Sequence, residues 1–110
     1  MRTLRFVVDG QIIMQDPGCD FTNLVPGSGG YLQAEFLFSK DWDGYVKVAS
    51  FWSVMGREYE PQVLTDGKTC MIPAEALAKR VFKIAVVGKK IDGSYIKTNR
   101  VEVIQNGGKV

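Results

Sequence analysis

Residues 81–97 read Val-Phe-Lys-Ile-Ala-Val-Val-Gly-Lys-Lys-Ile-Asp-Gly-Ser-Tyr-Ile-Lys. Large apolar side chains at Phe82, Ile84 and Val86 recur at every second position, which is the period of a β-strand with one buried face. The pair Asp92-Gly93 follows, and such a pair tolerates the positive φ angles that tight hairpin turns require. A second β-rich run then begins, so this segment predicts a β-hairpin.

The same chemistry recurs along the chain. Asp-Gly pairs also stand at 9–10, 43–44 and 66–67, and Asn106-Gly107 is a further turn-type pair. Between these turns lie short β-rich runs with the same alternation of inward and outward positions. The predicted inward positions are Leu4, Phe6 and Val8 in the first run, and Leu32, Ala34, Phe36 and Phe38 in the next. Further strands are expected at Arg57–Leu64 and Lys68–Ile72.

Two runs break the alternation. In Tyr45–Ser53, Val46 and Val48 have one parity and Ala49 and Phe51 the other, so either this strand is buried on both faces or a bulge lies near Val48. Near the C-terminus, Ile96 differs in parity from Val101 and Val103, and a kink near Thr98-Asn99 would reconcile them.

The pattern as a whole predicts an all-β fold. Pro73–Lys79 begins with proline and continues with good helix formers, which predicts one short helix before the last two strands. About seven short strands in a single domain of residues 1–110 favour an immunoglobulin-like antiparallel β-sandwich, with a small barrel as the alternative. The Gly-rich tail 106–110 is expected to fray.

The segment 15–30 contains two prolines and four glycines and forms a long loop with an apolar centre at Phe21, Leu24 and Val25. Long loops often carry function. The loop either folds back on its own domain or docks on a neighbouring subunit.

Trp52 is opposite in parity to Phe51, so it is expected outside the core as an interface anchor or a sugar-stacking platform. Trp42 precedes a turn and is expected to pack at the edge of the core.

Composition argues against catalysis and against several classes of ligand. The 110 residues contain 45% hydrophobic and 24% charged residues, as a globular domain does, and no histidine. Histidine is the commonest general base and metal ligand, so we expect no enzyme activity, no cofactor and no metal. The net charge of +2 gives no reason to expect nucleic acid or a membrane as a partner. Cys70 is expected to be a small buried apolar residue, and Cys19 has no basic neighbour that would activate it.

The N-terminal segment reaches Asp9-Gly10 before the apolar core of a signal peptide can form. We therefore expect synthesis in the cytoplasm without secretion through a signal peptide.

Three segments carry a resemblance to a known family. They are Phe38-Ser39-Lys40-Asp41-Trp42-Asp43-Gly44 with Lys47–Phe51, Cys70–Leu77, and Phe82–Gly88 with Asp92–Asn99. Together they resemble the immunoglobulin-like domain at the N-terminus of baseplate upper proteins, from phages and prophages of Gram-positive bacteria. The similarity covers roughly residues 30–105.

The resemblance implies a structural protein of the virion, of the baseplate or tail adaptor type, without catalytic residues. Its implied partners are other virion proteins, with assembly into a homo-oligomer as a further hypothesis. The interaction residues that we predict are Phe21, Leu24, Val25 and Trp52. The alternatives are a head decoration protein, a carbohydrate-binding module for the host surface and a small phage-encoded inhibitor of a host protein.

Overall fold

Two β-sheets face each other in the computed structural model of the chain, which describes residues 1–107. The four-stranded sheet has the order β2-β1-β3-β6. In the five-stranded sheet the order is β5-β4-β7, and both β8 and β9 pair with the free edge of β7. The strands are β1 (Arg2–Asp9), β2 (Ile12–Gln15), β3 (Leu32–Phe38), β4 (Val46–Ser53), β5 (Gln62–Val63), β6 (Thr69–Met71), β7 (Val81–Lys89), β8 (Tyr95–Lys97) and β9 (Val101–Ile104). The prediction of an all-β sandwich is confirmed.

The core lies between the sheets and is built from the predicted alternations. In β1, β3 and β7 the inward residues are almost fully buried, except Phe38, which is partly buried against the same core. Trp42 is also completely buried, and its indole N–H donates to the carbonyl of Gly10 at 2.7 Å. The glycines of all four Asp-Gly pairs have positive φ, as the turn chemistry predicts.

Strand β4 is buried on both faces at its centre. Ala49 and Phe51 point into the core, and Ser50 between them is also buried. The register against β7 runs without interruption from Val46 opposite Lys89 to Ser53 opposite Phe82. A bulge near Val48 is therefore wrong for this ladder. Burial on both faces holds only at Ser50, because the outward Val46 is exposed and Val48 is half-buried.

The strand count and one pairing differ from the prediction. There are nine strands instead of about seven. Strand β2 is a separate strand after the first turn, and the last predicted strand is broken at 98–100, where the kink was expected, so three strands follow the helix α1 (Ala74–Leu77) instead of two. The prediction of purely antiparallel sheets is wrong for one pair, since β1 and β3 are parallel, with Arg2 opposite Leu32 and Val8 opposite Phe38.

The parallel pair explains why the chain needs a crossing connection between β2 and β3. Parallel neighbours need a connection of about a dozen residues or more, because the chain must return to the end where the first strand began. Strand β2 runs antiparallel to β1 and carries the chain back as far as the level of Phe6. Residues 16–31 complete the return and cross to the other edge of β1, where β3 begins opposite Arg2. The loop is thus a crossover that the topology requires.

A side-chain amide joins the edges of the two sheets. Asn99, in the break between β8 and β9, accepts from the backbone N–H of Ile13 at 2.8 Å and donates to its carbonyl at 3.4 Å. The backbone N–H of Asn99 donates to the carbonyl of Gln11. Edge strand β2 therefore has its middle residue paired already, which protects this edge from pairing with other chains.

Candidate interaction surface

The loop residues predicted to interact are mostly used inside the domain. The ring of Phe21 meets that of Phe6 edge-on, with centroids 5.4 Å apart, and Leu24 is 2% exposed within the core. Val25 is 45% exposed. Of the two alternatives for this loop, the structure shows the one in which it folds back on its own domain.

Arg2 holds the loop in place. Its guanidinium donates to three loop carbonyls, those of Asp20 at 3.0 Å, Thr22 at 2.6 Å and Asn23 at 3.3 Å. A planar guanidinium offers five N–H donors in a fixed fork, which suits several carbonyls that converge on one point. This contact fixes the turn in which Asn23 takes a positive φ of 58°.

The C-terminal segment secures the same loop from the other side. Gly107 donates its N–H to the carbonyl of Leu24 at 2.8 Å. A Cβ at position 107 would lie 2.6 Å from the backbone of Asn23, so only glycine fits there without movement. The predicted fraying is therefore wrong for Gly107, and residues 108–110 lie outside the described part of the chain.

Trp52 lies on the outer face of the five-stranded sheet, as predicted. The Arg100 guanidinium carbon lies 3.6 Å from its ring centroid, so a cation covers one face of the indole. The indole N–H is buried without a hydrogen-bond partner among the described residues. A sugar ring stacks on an open aromatic face, and in this structure Arg100 occupies that position on Trp52.

Exposed apolar side chains cover the outer face of the five-stranded sheet. Val46 is 63% exposed, Val63 58% and Tyr95 55%, while Val48 and Val87 beside them are half-buried. The ladders place Val48 opposite both Val63 and Val87. These five residues are called the valine face below. With Pro61, Ser50 and Lys89 it borders a shallow groove of about 240 Å³.

The valine face is unexpected for an antiparallel sheet, because the outer face of such a sheet is usually polar. The sequence contained a signal for it. Val46 and Val48 share a parity opposite to Ala49 and Phe51, and Val87 is outward on β7. Sequence reasoning treated this only as an uncertainty in strand phase and missed the outward apolar set.

Basic side chains surround the valine face. Lys83, Lys89 and Lys97 occupy outward positions on β7 and β8, and Arg100 lies over Trp52 on the same face. The outward acids are Glu102 of β9, opposite Lys83, and Glu58, which is bridged to Trp52. Within residues 1–107 none of these lysines forms an ion pair. The Lys89 ammonium lies 5.6 Å from the centroid of the Tyr95 ring. The surface is thus apolar in its centre and positive at its margin.

The acidic side chains with shifted pKa values serve turns. The side-chain hydrogen bond from Ser94 lowers the pKa of Asp92, and the backbone N–H groups of Lys68 and Thr69 lower that of Asp66. Burial raises the pKa of the Cys70 thiol to about 12, so it remains protonated at neutral pH. Among the described residues no cluster of three cysteine or acidic side chains has the geometry to hold a metal ion.

Comparison with known proteins identifies no relative. No protein family, no curated protein and no solved structure matches the chain. Within residues 1–107, no helix has the length and apolar character needed to cross a bilayer.

Proposed function

We propose that this protein is a structural component of a phage or prophage particle, of the baseplate or tail adaptor type, that acts through contacts with other virion proteins. The observation that carries the proposal is the valine face, an exposed apolar surface on a regular sheet. Such surfaces on soluble proteins mark sites of protein–protein contact. The resemblance of residues 30–105 to the baseplate domain supplies the biological setting.

A sheet face suits a permanent assembly contact. The side chains of the valine face stand on β4, β5, β7 and β8, and the β4–β7 ladder is continuous over eight residue pairs. The surface is therefore held by backbone hydrogen bonds and needs little ordering when a partner binds. Low ordering cost is a major determinant of affinity for an interface of given area.

The test is quantitative mass spectrometry of purified particles from the source phage or the induced prophage. We expect the protein in a low copy number that matches the symmetry of the tail. Hundreds of copies per particle would identify a head decoration protein instead. Absence from the particle would contradict a structural role and favour an inhibitor of a host protein.

The alternative function of a carbohydrate-binding module can be tested at Trp52. It predicts heat on titration with polysaccharide of the host wall, and loss of that heat in the variant Trp52→Ala. We expect no heat, because Arg100 covers an indole face that a sugar would need. The variant Arg100→Ala is the matched control, since it uncovers the ring without removing it. Heat with the unaltered protein that disappears in Trp52→Ala would favour the carbohydrate reading.

A further inference from the structure

The outer face of the four-stranded sheet also carries exposed apolar side chains. Met14 is 48% and Leu37 44% exposed, and the register places both of them opposite Val7. The three side chains form an apolar row across β2, β1 and β3. This row is called the Met14 row below.

Acidic groups surround the Met14 row. Arg5 and Glu35 are paired outward residues of β1 and β3. Asp9 is outward at the end of β1, opposite Ile12. Asp16 lies beside them and pairs with Arg5, whose guanidinium atoms are 3.5 Å from Asp16 and 3.0 Å from Glu35. At the Leu37 end of the row, Asp43, Lys47 and Lys68 line a shallow pocket with Leu37. Four carboxylates therefore stand against three basic groups, and this face keeps a net negative charge.

The two outer faces of the molecule are complementary. The valine face is apolar, and its margin contains four basic groups and two glutamates. The Met14 row is apolar, and its margin contains four carboxylates and three basic groups. The difference follows the sequence, because β1–β3 lie in the first part of the chain, whereas the second half contains most of the lysines. Complementary charge around an apolar centre favours a specific pairing and disfavours two like faces meeting.

We infer that the occupant of the valine face is a second copy of this chain, which presents its Met14 row. This inference rests on the proposed function and names the partner for the same surface. An interface between two different faces is heterologous, so each copy has both halves of the contact. Repetition of this contact builds a ring if the rotation closes, and a stack if it does not.

The alternative is a two-fold dimer in which the valine faces of two copies meet. Charge repulsion disfavours this dimer. Such a pairing would bring Lys89 and Lys97 of one copy against the same residues of the next. Like charges in contact at an interface cost free energy and suppress the wrong pairing.

The test is sedimentation velocity of the purified protein from micromolar to millimolar concentration at low salt. We expect the sedimentation coefficient to rise with concentration and the rise to diminish at high salt, because the charged margin is screened. A monomer at every concentration would overturn the inference. The mass-spectrometric copy number would still decide the structural role separately.

Two variants, each of which blocks one face, distinguish the heterologous contact from a two-fold pairing of like faces. Val46→Asp introduces an acid on the valine face, and Leu37→Lys introduces a base beside the Met14 row; both positions are exposed, so folding should be preserved. Each variant alone is expected to be monomeric. An equal mixture should form dimers and nothing larger, because one intact face remains on each partner. Ile91→Asp, at the fully exposed tip of the β7–β8 hairpin, is the matched control and should associate like the unaltered protein.

Two outcomes contradict the heterologous contact. If Leu37→Lys alone still dimerises, the valine face pairs with itself. If Val46→Asp associates as strongly as Ile91→Asp, the valine face takes no part in association. Circular dichroism and thermal melting of each variant establish that it is folded before these comparisons are made.

Discussion

Replacement of Arg2 by alanine should release the crossover loop while the sheets remain folded. The substitution removes all three hydrogen bonds from the guanidinium to the loop carbonyls at Asp20, Thr22 and Asn23. A hydrogen bond to a charged group contributes roughly 1.5–3 kcal/mol when shielded from water. These bonds are solvent-exposed, and the freed carbonyls can bind water, so we expect about 2 kcal/mol for the three together. The loop should therefore open roughly 30-fold more often, since 1.4 kcal/mol is a factor of ten.

Hydrogen–deuterium exchange read by mass spectrometry measures this opening directly. The loop contains amides with defined acceptors, among them Cys19, bonded to the carbonyl of Asp16, and Gly27, bonded to that of Leu77. Their exchange should accelerate by about the same factor of 30 in Arg2→Ala. Peptides from β7 should exchange at an unchanged rate, because local opening of the loop does not require the sheets to separate.

Two further variants make the result specific. Arg2→Lys keeps the charge but offers a single ammonium, which cannot span three carbonyls, so its effect should be intermediate. Arg100→Ala removes an arginine whose guanidinium contacts Trp52 instead of the loop, and it should leave the loop unchanged. The reasoning is refuted if loop exchange in Arg2→Ala changes less than about threefold, or if β7 accelerates equally.

Three other substitutions test contacts and burial that stabilise the fold. Asn99→Ala removes both side-chain hydrogen bonds to Ile13 and should lower the free energy of unfolding by about 1–2 kcal/mol. The thermal midpoint should then be roughly 4–8 °C lower. The control Asn106→Ala changes an exposed asparagine and should leave the midpoint unchanged. Gly107→Ala places a Cβ against the backbone of Asn23 and should cost about 1–3 kcal/mol, whereas Gly18→Ala should be nearly neutral, and equal midpoints in the two would disprove the close approach. Folding raises the pKa of Cys70 from an ordinary value of 9.0 to about 12, so its contribution is intact below pH 9 and is lost as pH rises from 9 towards 12. Urea titrations should therefore show a steeper alkaline loss for the unaltered protein than for Cys70→Ala, and parallel curves would contradict the shift.

Local patterns were sufficient to predict most of the strands, but of the strand expected at Arg57–Leu64 only Gln62–Val63 forms. The alternation of Leu4, Phe6 and Val8 and the Asp-Gly pairs depend on neighbouring residues only, and the structure confirms both. The kink near Thr98-Asn99 was predictable for the same reason, because a change of parity within one run must be absorbed somewhere in that run.

Pairing between distant segments could not be predicted in the same way. Nothing in residues 2–9 indicates that their neighbour is β3 or that it runs parallel, so the sequence leaves open whether the long loop folds back on its own domain or docks on a neighbouring subunit. Similarly, the outward parity of Trp52 was predictable, but the cation that covers it comes from Arg100, far along the chain. The valine face arises because β4, β5, β7 and β8 are assembled side by side, which no single run reveals.

The parallel β1–β3 pair has a consequence for the order in which the chain can fold. During synthesis the β1–β2 hairpin can close at once, but the second edge of β1 has no partner until residue 38 has been made. Since β1 is an interior strand of its sheet, the backbone groups along its second edge stay unpaired throughout synthesis of the crossover loop. Pairings that are distant in sequence form slowly, and exposed edges promote aggregation. Versions of the protein that end before Phe38 should therefore be insoluble, and those that begin after Asp9 should lose the central strand of the four-stranded sheet.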